Sequence, residues 1–138
     1  MTDALKEKLL VWLLRLGAVM TIAAFPTALL PTKTMIAVHE WLGMGTFPDA
    51  PVTQYMARSL ALMYGFHGVM TAIVSTDVRR YRPFVTYLGW MMLTLGPAMT
   101  LLDLYAGLPM LWVWAEGPPL FATGCVVLWL RRAVPVAS

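Results

Sequence analysis

The chain has 138 residues, of which 59% are hydrophobic and only 12% charged, and its mean hydropathy is +0.70. A typical soluble domain carries roughly twice that charged fraction, and so few Lys, Arg, Asp and Glu would leave large apolar patches facing water. The composition argues against a soluble domain and against a nucleic-acid binder. The net charge of +3 comes from basic residues at segment ends, where they act as topology signals, and the single Cys125 excludes an internal disulfide framework.

A hydrocarbon core of about 30 Å needs about 20 apolar residues in a helix. Four stretches meet that need: Leu9 to Leu30, Met56 to Ser75, Pro83 to Ala106, and Met110 to Leu130. They predict an all-α integral membrane four-helix bundle forming one transmembrane domain over residues 1–138.

The first stretch follows Lys6 and Lys8 as a secretory signal would, but it outruns the roughly 7 to 15 residues of a signal h-region. Arg15 also interrupts it, and no small-residue cleavage site follows at the right distance, so it is expected to stay as a helix. Arg15 sits roughly 9 Å into that helix at 1.5 Å per residue, within snorkelling reach of the surface. Pro26 is expected to bend the last turn and Pro31 to end it.

The long loop from Thr32 to Tyr55 begins with a helical pattern. Met35, Val38, Trp41 and Leu42 share one arc at about 100° per residue, with Lys33 and Glu40 opposite. The pattern describes an amphipathic helix in the first outer loop, resting on lipid or acting as a lid. Gly43, Gly45, Pro48, Asp49 and Pro51 then make an irregular return.

The second span carries Arg58 near its start and His67 near the midplane, with Tyr64 and Thr71 close to His67 on the helical wheel. Another flank presents Ala57, Ala61, Gly65, Gly68 and Ala72, small residues that let a second helix come close. In the third span Pro97 predicts a kink and Asp103 lies near the end. In the fourth, Glu116 precedes Pro118 and Pro119, which are expected to interrupt the helix. That span starts either at Met110 or, after a surface segment, at Pro118. Cys125, between Gly124 and Val126, reads as a small core residue.

Basic residues orient the spans. Lys6, Lys8, Arg79, Arg80, Arg82, Arg131 and Arg132 fall on one side and Lys33 alone on the other, which places both termini in the cytoplasm of a bacterial-type inner membrane. Trp12 and Trp129 then fall near the inner boundary, and Trp41, Trp112 and Trp114 near the outer one. Leu16-Gly17, Met20, Pro26 and Leu29-Leu30 echo Leu88-Gly89, Met92, Pro97 and Leu101-Leu102, as a duplication of hairpins or by chance similarity in apolar sequence.

Charges inside spans are costly and mark candidate sites. Arg58, Asp103 and Glu116 come to the outer third of the bilayer from three helices, so they form either a structural clamp or, with His67 and Tyr64, a polar pocket for a headgroup, quinone or proton. His39 is at a different depth from His67, so an intrachain bis-histidine haem is not expected, while a pigment shared with a partner chain stays open. Neither a catalytic set nor a metal-ligand spacing is expected.

Arg15-Leu16-Gly17 in the first helix, the long outer loop with its amphipathic piece, and three further spans with basic inner ends resemble the DoxX-like superfamily of small four-helix bacterial membrane proteins. The resemblance implies the same architecture and, for some members, quinone-linked redox chemistry; it transfers no catalytic residue. The sequence supports first a non-catalytic subunit or assembly partner of a larger membrane complex, whose partners are lipids and other membrane subunits or a second copy. The alternatives are a quinone-binding redox component and a small transporter or lipid-binding protein.

Overall fold

The computed structural model describes residues 2–135, which are helical with no strand among them. The helices are α1 (Asp3–Ile22), a 3-10 turn (Phe25–Leu29), α2 (Thr32–Trp41), α3 (Pro51–Thr76), α4 (Arg82–Ala106) and α5 (Met110–Arg131). Four segments are long and apolar enough to cross a membrane: Asp3–Leu29, Pro51–Thr76, Arg82–Ala106 and Met110–Arg131.

Local chemistry sets the ends of these elements. Pro26 has no amide hydrogen, and around it the ladder tightens: Ala24 N donates to Thr21 O, Thr27 N to Ala24 O, and Leu30 N to Thr27 O, all three residues back. The first long helix therefore closes as a 3-10 turn. Pro51 occupies the first position of α3, where its missing amide costs nothing, and this starts α3 five residues before the expected Met56. At the end of α2, Gly43 takes the left-handed conformation (φ 74°), and Met44 N reaches back to His39 O at 3.2 Å. Gly107 (φ 70°) caps α4 in the same way.

Two expectations are corrected. Pro118 and Pro119 do not interrupt the fourth span, because α5 is one helix from Met110 to Arg131. The prolines free only the carbonyls of Trp114 and Ala115 from the ladder, and α5 is held through this region by close contact with α4. Cys125 is exposed and is not a core residue, since the inward positions of its helix are Gly124 and Val127 on either side of it.

The chain divides into two compact units. One combines the N-terminal residues through Leu14 with everything from Ile73 onward. Its core is Leu10 and Leu14 of α1, Val74 near the end of α3, Val78 of the following turn, Val85 and Leu88 of α4, Val127 and Leu130 of α5, and Val134. In this unit α4 and α5 pack through glycines seven residues apart on each helix, Gly89 and Gly96 against Gly117 and Gly124. A Cβ on Gly96 would lie 2.6 Å from Phe121 N, and one on Gly124 would lie 2.6 Å from Leu93 N. Backbone meets backbone there, as small residues permit. Beyond the core, Arg79 makes a two-pronged pair with Glu7 at 2.9 and 3.0 Å, and Arg82 Nε donates to Val134 O at 2.9 Å. The Glu7 carboxylate bonded to it raises the pKa of the Arg79 guanidinium further above its ordinary value.

The other unit is Arg15–Ala72. Here the small-residue flank of α3 finds its partner within the chain. A Cβ on Gly65 would meet the Phe25 ring at 2.5 Å, and one on Gly68 would meet Thr21 Oγ1 at 2.6 Å and Ile22 at 2.7 Å. Phe25 also stands edge-on to Phe66, centroids 5.2 Å apart. Gly65, Gly68 and Ala61 are buried, whereas Ala57 and Ala72 are half-buried.

Candidate functional site

Arg58, Tyr64 and His67 lie on α3 in the second unit, and Asp103 and Glu116 on the α4–α5 hairpin in the first. Arg58 Nη1 donates to Ala28 O at 2.6 Å. Ala28 sits in the 3-10 turn, so the guanidinium ties α3 to the segment in which the helical ladder has just tightened. Such a charge-assisted bond is stronger than a neutral one. The ion pairs among the described residues are Lys6–Asp3 and Arg79–Glu7.

His67 is half-buried, and its backbone carbonyl accepts from Thr71 Oγ1 at 2.9 Å. Tyr64 is exposed. His39 has a different surrounding: Nδ1 lies 3.1 Å from Gly45 O and the ring stands edge-on to Phe47, centroids 5.3 Å apart. Phe47 is buried, so the return loop folds back on α2 at this point.

The hairpin holds the more unusual chemistry. Asp103 is buried, with only 3% of its surface exposed, and its Oδ2 has no hydrogen-bond partner among the described residues. Glu116, half-buried on α5, immediately precedes Gly117, whose Cβ position lies against Thr100, one turn before Asp103 on α4. Two turns before Asp103 on α4, an open apolar groove of about 390 Å³ runs between the helices, lined by Gly96, Pro97, Thr100, Leu101, Gly117, Pro118 and Phe121. Gly96 and Gly117 close the two helices on each other at its floor, and Pro97 of α4 and Pro118 of α5 line it. Among the described residues no group of three His, Cys, Asp or Glu could hold a metal ion.

Several residues here escaped sequence reasoning. The α4–α5 glycines were visible as two pairs with a seven-residue spacing, which keeps both members on one helical face. Gln54 gave no such signal. Its Oε1 accepts from Thr32 Oγ1 at 3.0 Å and its Nε2 donates to Asp49 Oδ1 at 2.9 Å, which links the start of α2, the return loop and α3. Of the α2 arc, Met35 and Leu42 are half-buried, while Val38 and Trp41 are exposed, Trp41 by 83%.

No protein-family model, curated protein or solved structure matches this chain.

Proposed function

We propose that this chain is an integral subunit or assembly partner of a larger complex in a bacterial-type inner membrane, crossing it four times with both termini cytoplasmic and performing no catalysis by itself. The observation that supports the reading is the outward face of α1. Trp12, Leu16, Val19 and Met20 are all exposed on that helix, Trp12 by 72%. Gly17 interrupts the ridge with a notch, for a Cβ there would have nothing within 4 Å. On the flank of the ridge away from Gly17 stands Arg15, exposed and without a hydrogen bond or ion pair among the described residues. An arginine on a lipid face is costly at depth, and a carboxylate from a neighbouring subunit offsets that cost. A notch beside a ridge is also the relief that lets a second helix pack closely.

In this arrangement α2 lies along the outer interface. Trp41 and Val38 meet the boundary between headgroups and acyl chains, where tryptophan is enriched.

Native mass spectrometry of the chain, gently extracted from its own membrane, tests the reading. The expected result is co-migration with other subunits, lost in Arg15→Leu and Gly17→Leu while the variant chains keep their thermal stability in detergent. A lone chain in the wild-type extract, or co-migration unchanged in both variants, would overturn it.

A further inference from the structure

We propose that the α4–α5 hairpin binds a lipophilic primary amine in its cationic form, with the ammonium between Asp103 and Glu116 and the hydrocarbon body in the groove beside Pro97 and Pro118. Three observations carry this. The buried Asp103 Oδ2 is an acceptor with no donor among the described residues, and a buried acceptor left unpaired is rare and costly in a folded protein. A second carboxylate, Glu116, stands next to Gly117, which packs on Thr100 one turn before Asp103. Asp103 also follows Gly96 by seven residues, so it continues the face of α4 that lines the apolar groove.

The polar chemistry of the hairpin is acceptor-rich. Thr100 has already committed its hydroxyl hydrogen to Gly96 O at 3.0 Å. Pro118 and Pro119 leave the carbonyls of Trp114 and Ala115 without their ladder donors. A ligand that fits must therefore bring N–H donors and positive charge at one end and an apolar body at the other. A primary ammonium supplies three donors. A phosphatidylethanolamine headgroup supplies the same ammonium, but it brings a phosphate beside two carboxylates. The occupant is accordingly an amine without a phosphate, entering from the lipid phase through the open side of the groove, where Leu101 and Phe121 are exposed.

The test uses the full chain in phosphatidylcholine nanodiscs, with n-decylamine as the probe and tryptophan fluorescence as the readout, corrected against empty discs. Saturable binding is expected, with n-decanol producing no saturable change and decyltrimethylammonium, which has charge but no N–H, binding more weakly. Glu116→Gln and Asp103→Asn should each weaken decylamine by about tenfold or more, the effect of losing one charged hydrogen-bond partner, whereas Glu40→Gln on α2 should not. Thermal unfolding identifies any variant that fails to fold; Glu116→Gln, at a half-buried position, carries the test if Asp103→Asn does not survive. Absence of saturable binding, equal binding of decanol, or unchanged affinity in the folded carboxylate variants would each overturn the proposal. Competition by discs containing phosphatidylethanolamine would overturn the choice of occupant.

Discussion

Two helix contacts in this chain use glycine in different ways. Between α4 and α5, the space of an absent Cβ at Gly96 and Gly124 is taken by backbone atoms, Phe121 N and Leu93 N at 2.6 Å. Between α3 and the end of the first long helix, the space at Gly65 is taken by the Phe25 ring. A backbone cannot yield without moving a whole helix, whereas a ring can turn or shift. The hairpin is thus stiffer at Gly96 and Gly124 than the α3 contact is at Gly65, while Gly68, with Ile22 N 2.7 Å from its Cβ position, is as confined as they are. The hairpin is the contact that frames the groove and its carboxylates.

The largest effect should come from Gly96→Leu or Gly124→Leu. Each forces α4 and α5 apart, so a loss of about 3 kcal/mol or more is expected, read as a drop in the detergent unfolding midpoint together with loss of decylamine binding. A stable, binding-competent Gly124→Leu would remove the basis of the comparison. Gly65→Ala should cost less, about 1 to 2 kcal/mol, and Phe25→Leu should restore part of it. A double-mutant cycle measures that coupling, and strict additivity would mean that the ring is not what limits the approach.

Arg58→Met comes next. It leaves Ala28 O without its charged donor, at a cost of about 1 to 3 kcal/mol, and hydrogen exchange should accelerate in the Phe25–Leu29 turn while α4 and α5 stay protected. Uniform acceleration would deny the local role of that bond. The smallest effect belongs to Gly17→Ala, where the new methyl meets nothing within 4 Å. Its unfolding midpoint should hold or rise slightly, by the equivalent of up to about 1 kcal/mol from helix propensity. A marked fall would mean that Gly17 touches something within the chain itself.

The echo between Leu16-Gly17 and Leu88-Gly89 shows where sequence pattern stops. On α1 Leu16 is exposed and the half-buried Gly17 has open space at its Cβ position, but on α4 Leu88 is fully buried and Gly89 packs against Leu128. The small-residue flank of α3 was legible because its spacing is helical and its residue types are restricted. Its partners were not, because Phe25, Thr21 and Ile22 carry no mark that pairs them with glycine. The polar residues divide in the same way. Arg58, Asp103 and Glu116 stood out as charges in apolar stretches, but that the Arg58 guanidinium would be taken by a carbonyl in a proline-tightened turn depended on where Ala28 came to lie.

The sequence by itself determined the number of long apolar helices, the α2 segment, the limits of α4 and the end of α5 to within one residue, because length, hydropathy and glycine or proline punctuation are local properties of the chain, but it left the start of α5 open between Met110 and Pro118. Tertiary structure alone decided that Pro118 and Pro119 stay within one helix, that Cys125 faces outward, that α4 and α5 meet backbone to backbone, and that Asp103 is buried with an acceptor unpaired among the described residues. These outcomes depend on which surfaces of distant segments come together, and that is set by close packing and by the pairing of polar groups, neither of which a single stretch of sequence contains.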